Sequence, residues 1–281
     1  MTLHEEIHHD ILDTVSRLKL TGESFALATV VRTVAATAAK AGAKAVIRRD
    51  GTILEGWIGG GCARGAVLKA AREALADGKP RLISVQPGDL LEALGVRVGE
   101  EREGVRFARN RCPSKGTMDI FIEPVLPEPE LIVCGASPVA LALADLAPRF
   151  GYAVTAAAPA ADQSLFEMPS RRIEGYALDT NGDRERYVVV STQGRGDEEA
   201  LRAALTANAA YVAFVGSRAK FESLKSELAG EGVGEALFAA VHAPAGLDIG
   251  AITPEEIALS ILAEIVTERR RGRRSHEKGA K

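Results

Sequence analysis

The sequence predicts an α/β protein in two parts: an N-terminal α+β unit with a mixed or antiparallel sheet, then a unit built on a parallel sheet. Three observations predict it. Residues 124–130 read Pro-Val-Leu-Pro-Glu-Pro-Glu, and three prolines so close together favour a stiff, extended connection. Before them, apolar segments flank Asp50-Gly51, a strong hairpin signal. After them, short apolar runs alternate with helical spacings, the rhythm of βαβ units.

The elements follow in order. Residues 3–20 carry Ile7, Ile11, Leu12, Val15 and Leu18 at helical spacing. Strands are expected at 25–31, 43–48 and 52–58, then a helix over 63–77. A strand at 81–85 and a short helix at 88–94 come next, and 105–108 with 118–123 read as a later strand pair. In the second part a strand at 131–134 leads into a helix over 138–150 that opens on Pro138, a residue suited to the first helical position. Strands at 152–157, 187–191 and 211–215 and helices at 197–208 and 218–229 continue the alternation. Thr253-Pro254-Glu255-Glu256 is a capping box that starts the last helix. The expected organisation is a first domain over 1–123, the linker 124–130, a second domain over 131–268 and a basic tail over 269–281.

Bulk properties bound the function. The 281 residues carry a net charge of −3, which argues against a general nucleic-acid binder. Apolar runs are too short for a membrane span, and the polar N-terminus is unlike a signal peptide. The 3 cysteines do not make a disulfide framework, so a soluble, reduced, cytoplasmic protein is expected. His4, His8 and His9 read as a solvated face, and the basic tail as a solvated end or an electrostatic contact.

Each part has a glycine-rich turn that opens a helix, and helix N-termini present N–H groups and positive potential to anions. The first turn is Gly59-Gly60-Gly61-Cys62. Three glycines exceed what a turn needs and let backbone approach a ligand closely. Cys62 beside a helix N-terminus, with Arg64 nearby, favours a thiolate that could ligate a soft metal, carry a persulfide or attack an electrophile; the alternative is a packing cysteine. Cys112, in a polar loop with two cations, either lines that site or has no role. Cys134, in an apolar strand, reads as core.

The second turn, Gly135-Ala136-Ser137-Pro138-Val139-Ala140, occupies the frame of a Rossmann dinucleotide fingerprint, G-x-G-x-x-G/A. Its second glycine is replaced by Ser137, Pro138 removes a donor, and no acid follows the next strand, which ends Ala156-Ala157-Ala158-Pro159. The fold signal is clear and the nicotinamide signal is weak; Ser137 could cap the helix or hold a phosphate. Gln193, Gly194 and Arg195, then Gly216, Ser217 and Arg218, stand in loops after strands, where open α/β folds bind ligands. His242 and Asp248 lie in a further such segment. Each of these is either a ligand contact or an ordinary loop residue, with Asp197 a helix N-cap in the second case.

These pieces resemble the XdhC/CoxI family of accessory proteins for molybdenum hydroxylases. The matching segments are Gly59 to Cys62; Cys112-Pro113-Ser114 with Gly116-Thr117-Met118-Asp119; the turn at Gly135; Thr192 to Asp197; Gly216 to Arg218; and His242 to Ala251. The resemblance implies a maturation factor that binds the molybdenum cofactor, as molybdopterin cytosine dinucleotide, supports its sulfuration and delivers it to a xanthine dehydrogenase or CO dehydrogenase type apoenzyme. It implies an XdhC/CoxI domain followed by a Rossmann-like domain, often as a homodimer. The implied partners are the large subunit of the apoenzyme and a cysteine desulfurase. On that reading Gly59 to Gly61 and Gly135 to Ser137 hold phosphates in a crevice between domains, and Cys62 and Cys112 stand near the metal or the transferred sulfur. The alternative is an FAD- or NAD(P)-dependent oxidoreductase. The chain departs from the family's common Gly-Ala-Gly-His turn at Ser137 and Pro138.

Overall fold

The computed structural model describes residues 11–113, 115–179 and 184–278, with the side chains of Cys62 and of 272–278 outside the description. The expected positions of His4, His8 and His9 fall outside the described residues. The chain divides into two compact units, Met1–Pro127 and Glu128–Lys281.

In the first unit α1 (Ile11–Thr21) precedes β1 (Phe25–Val34), β2 (Lys44–Arg48) and β3 (Ile53–Gly56). Then come α2 (Gly61–Asp77), β4 (Arg81–Pro87), α3 (Gly88–Ala93), β5 (Glu101–Arg102), β6 (Val105–Asn110) and β7 (Thr117–Val125). β2 and β3 form the expected hairpin: Asp50 Oδ1 accepts the Thr52 N–H at 2.7 Å, and Gly51 takes the φ of +91° that the turn requires. The sheet runs β3-β2-β1-β7-β4-β6-β5 and is mixed, with β4 and β6 parallel. β6 and β7 are not a pair, contrary to the sequence expectation; β4 lies between them. Neighbours in a sheet are chosen by long-range packing, which a local pattern does not record.

Side chains alternate across the strands. Ala26, Ala28, Val30, Ile120 and Ile122 face α2, whose Val67, Ala70, Ala71 and Ala74 complete one buried cluster. Phe25 and Val46, on the other face, join Leu18 of α1. The proline-rich segment is entered by strand from both sides. Pro124 pairs with Ala26, beyond the last β4 partner of β7 at Ile122, where a missing N–H is tolerated.

The second unit runs β8 (Glu130–Cys134), α4 (Pro138–Leu146), β9 (Ala153–Ala158), β10 (Arg171–Glu174), β11 (Arg186–Val190), α5 (Asp197–Thr206) and β12 (Tyr211–Phe214). It closes with α6 (Arg218–Gly230), α7 (Glu235–Phe238), β13 (Val241–His242) and α8 (Pro254–Lys278). α4 gives way to a 3-10 turn, Ala147–Phe150, where Pro148 has no N–H to continue the α pattern. The strands are parallel in the order β10-β9-β8-β11-β12-β13. This is the dinucleotide-fold order, with its topological switch between β8 and β11.

Val133 and Val189 face α8 through Ile261, Leu262 and Ile265; Ile132, Cys134 and Val188 face the other way, toward Leu201 and Phe221. Cys134 is wholly buried, and burial pushes its thiol up to about 12, as befits a core residue. α8 continues as helix through the arginine run to Lys278. Among the described residues no helix is long and apolar enough to cross a membrane.

Candidate functional site

One edge of the first sheet gathers the features singled out in the first unit. Val34 at the end of β1 pairs with Thr117 at the start of β7, and Pro87 at the end of β4 pairs with Asn110 at the end of β6. Cys112, just after β6, and Gly116, just before β7, lie at this edge. Asn110 holds both: its Nδ2 donates to the Gly116 carbonyl at 2.6 Å and its Oδ1 accepts the Cys112 N–H at 2.9 Å. Gly116 admits no side chain, since a Cβ would lie 2.2 Å from the Ala36 carbonyl oxygen. Cys112 is exposed.

The Gly59-Gly60-Gly61 turn reaches the same edge. Gly59 has a φ of +107°, and a Cβ there would press Met118 Cε of β7 at 3.1 Å. Gly60 and Gly61 are exposed and face open space. Gly60 is the N-cap of α2, has no side chain to satisfy the first N–H groups, and the first turn carries no acid. Such an end presents unpaired N–H groups and positive potential, the features that suit an anion. Cys62 is the second residue of α2. Beneath the edge, Asp119 accepts from Arg32 Nε at 2.5 Å and Ser84 Oγ at 2.6 Å, and Ser84 Oγ accepts from the buried Gln86 amide at 2.7 Å. Arg32, Ser84 and Gln86 carry no local sequence signal, because only strand pairing brings them together.

In the second unit the corresponding turns meet at the switch point. Gly135 has a φ of +96°, and a Cβ would lie 2.6 Å from the Ser191 carbonyl oxygen. Ala136 packs partly buried against the α4–α8 core. Ser137, 5% exposed, is the N-cap of α4: its Oγ accepts the Ala140 N–H at 3.1 Å and shares a 2.6 Å hydrogen bond with Ser191 Oγ. Gln193, Gly194 and Arg195 are exposed, with φ of +52° at Gln193 and +92° at Gly194. Gly196, at φ +85°, is the N-cap of α5 in place of Asp197, which is the first helical residue.

The Asp197 carboxylate turns back into the loop. It accepts from the Thr192 hydroxyl, the Gly194 N–H at 3.0 Å and the Lys220 ammonium. Burial opposes its ionisation, but Lys220, Thr192 and Gly194 outweigh burial and hold its pKa below the usual carboxylate range. Gly216 lies against Phe214, Ser217 caps α6 by accepting the Lys220 N–H at 3.2 Å, and Arg218 is exposed.

His242 stands in β13 opposite Ala213, with its ring 4.5 Å from that of Tyr211. Its Nδ1 is 2.9 Å from Glu264 Oε1. Glu264 Oε2 also accepts from the Tyr211 hydroxyl at 2.6 Å and the Gly246 N–H at 2.8 Å. This cluster ties the β13–α8 loop to α8, apart from the switch-point turns. Asp248, farther along that loop, is exposed. Among the described residues no group of three His, Cys, Asp or Glu side chains is arranged to hold a metal ion.

Residues 18–86 match the model of the XdhC and CoxI family, and residues 131–265 match that of the XdhC Rossmann domain. The chain is 31% identical over 268 residues to the uncharacterized protein YqeB of Escherichia coli (strain K12), covering 92% of this chain and 46% of that protein. It is 29% identical over 166 residues to a probable xanthine dehydrogenase subunit of Bacillus subtilis (strain 168), covering 55% of this chain and 47% of that one. The chain thus spans about half the length of the curated relatives it matches. A crystal structure of a xanthine dehydrogenase from Bacillus halodurans is a looser likeness, at 17% identity and a TM-score of 0.43 over 92% of this chain and 95% of that one. With one family model on each of its two units, this α/β chain belongs to the XdhC and CoxI family, its XdhC/CoxI domain followed by an XdhC Rossmann domain.

Proposed function

We propose that this protein is a maturation factor for a molybdenum hydroxylase: it binds the molybdenum cofactor as cargo, supports its sulfuration and inserts it into the apoenzyme. The observation that carries the reading is the bare N-terminus of α2, where Gly60 and Gly61 face open space and Gly59 lies against Met118 at the sheet edge that also carries Cys112. A pterin dinucleotide, in the cytosine form that the family resemblance implies, offers phosphates to such an end and a dithiolene-bound metal to nearby sulfur. Gly59, Gly60 and Gly61 take the phosphates. Cys62 stands where a helix N-terminus favours a thiolate, and it handles the transferred sulfur or the metal with Cys112 at the rim. The client is the large subunit of a xanthine dehydrogenase or CO dehydrogenase type enzyme, a cysteine desulfurase supplies the sulfur, and the protein works as a homodimer. Family membership supports the maturation role. The half-length match to a protein named as a probable xanthine dehydrogenase component supports the class of client.

The test is to purify the protein from cells that make molybdenum cofactor and measure molybdenum and pterin per chain, then to titrate the stripped protein with released cofactor. Stoichiometric molybdenum and pterin, or saturable uptake on titration, is the expected result. Neither metal nor pterin by either route would sink the reading.

A further inference from the structure

The switch point of the second unit is where this fold takes a dinucleotide, which makes the fit of its residues to one a question the geometry answers. Pro138 has no N–H, and the Ala140 N–H is spent on Ser137 Oγ at 3.1 Å. Ser137 itself is 5% exposed and held by Ser191 at 2.6 Å, so its hydroxyl is not turned to a ligand.

The β11–α5 loop holds an anion of its own. Its φ angles of +52° at Gln193, +92° at Gly194 and +85° at Gly196 curl the backbone into a concavity of the kind that receives anions. Asp197, 7% exposed, already sits in it, on the Gly194 N–H at 3.0 Å, the Thr192 hydroxyl and the Lys220 ammonium. A phosphate would seek that same set of N–H, hydroxyl and ammonium donors. Glu198 and Glu199 follow, so the first turn of α5 is acidic and its potential disfavours a further anion, even with Glu198 paired to Arg202 at 3.0 Å.

β9 offers no acid to a ribose. It ends at Ala158, where the ribose-binding acid of a dinucleotide site belongs, and the Ala158 carbonyl is occupied by the Gly175 N–H at 2.9 Å and the Gln163 amide at 2.8 Å.

We infer that the chain's own Ser137 hydroxyl and Asp197 carboxylate fill the phosphate positions of the switch point, so that this Rossmann domain holds no adenine dinucleotide. Asp197 is an internal stand-in for phosphate. The three helices that open at this edge differ in how they are occupied: α4 and α6 each give one N–H to a serine cap, and α5 carries acids in its first turn. The contrast with α2, which has neither cap nor acid, puts the chain's open anion site on the first unit. Occupancy of the switch point is independent of the maturation role, whose test measures molybdenum and pterin.

The experiment is a calorimetric titration of the full chain with NADH, NADPH and FAD up to millimolar ligand. Alongside it, folded Asp197→Ala and Asp197→Asn variants, checked by far-UV circular dichroism, are titrated with inorganic pyrophosphate. The wild type is expected to show no saturable binding of any of the three dinucleotides. Both variants are expected to gain pyrophosphate affinity by about tenfold or more, because a charge-assisted donor set is released. Saturable micromolar binding of a dinucleotide by the wild type overturns the inference. Unchanged pyrophosphate affinity in a folded variant overturns Asp197 as the occupant. Should neither variant fold, the wild-type titration still decides the question.

Discussion

Gly60 is the residue at which stability and the proposed cargo binding are expected to separate. Its backbone has a φ of −81°, open to any residue, and a Cβ meets nothing within 4 Å. Gly60→Asp therefore adds a good N-cap at no steric cost and is expected to leave stability unchanged or raise it by a few tenths of a kcal/mol. The same carboxylate opposes a phosphate, and cofactor content per chain is expected to fall by about tenfold. A melting curve beside a molybdenum assay reads both. Gly135 behaves in the opposite way. With φ at +96° and a Cβ position 2.6 Å from the Ser191 carbonyl oxygen, Gly135→Ala is expected to cost about 2–4 kcal/mol in urea unfolding. A variant as stable as the wild type would refute the packing argument. Cys62→Ala is expected to abolish delivery of active cofactor with the circular dichroism spectrum unchanged; normal activation of the apoenzyme would remove Cys62 from the mechanism.

Among the elements, α8 is fixed at its start by the capping box and along its length by Glu264. The Glu256 carboxylate accepts the Thr253 N–H at 3.0 Å, and Thr253 Oγ1 accepts the Glu256 N–H at 3.3 Å. The Glu264 side chain is 14% exposed. Burial opposes its ionisation, but the Tyr211 hydroxyl, His242 and the Gly246 N–H outweigh burial and lower its pKa. A lowered pKa means that the folded state favours the carboxylate. The resulting stability is present above the ordinary glutamate pKa of about 4.3 and is lost as pH falls through the lower folded value. Glu264→Gln is thus expected to cost about 1–2 kcal/mol near neutral pH. The melting-temperature gap between the two proteins should close as pH is brought below about 4. A gap that persists unchanged at acid pH would show that the carboxylate charge is not what matters.

For the molecule as a whole, cargo that binds the folded chain must stabilise it, by about 2.7 kcal/mol at a hundredfold excess over Kd. Trp57 is the chain's 1 tryptophan, is 56% exposed and stands just before the Gly59 turn. Released molybdenum cofactor is expected to change Trp57 emission and raise the melting temperature together, whereas NADH is expected to do neither. A melting shift without a Trp57 response would place the cargo away from the α2 turn.

Local chemistry alone dictates the division at the prolines, the Asp50-Gly51 hairpin, the βαβ rhythm and the helix starts, because turn residues, capping and hydrophobic period act over a few positions. Pro138 at the first helical position and the Thr253–Glu256 box announce α4 and α8 in the residues themselves. Both glycine turns are legible for the same reason. Strand neighbours are not: β4 lies between β6 and β7, and the short β10 and β13 lie at the sheet edges. Those placements depend on which apolar faces bury together. The site shows the same split. By its residue type Ser137 can either cap a helix or hold a phosphate, and folding decides for the cap by bringing Ser191 to it from 54 residues away. Asp197 has the sequence of an N-cap, yet Thr192, Gly194 and Lys220 turn it into the loop instead. Residue type decides what a group can do; the partners that folding brings to it decide which of those things it does.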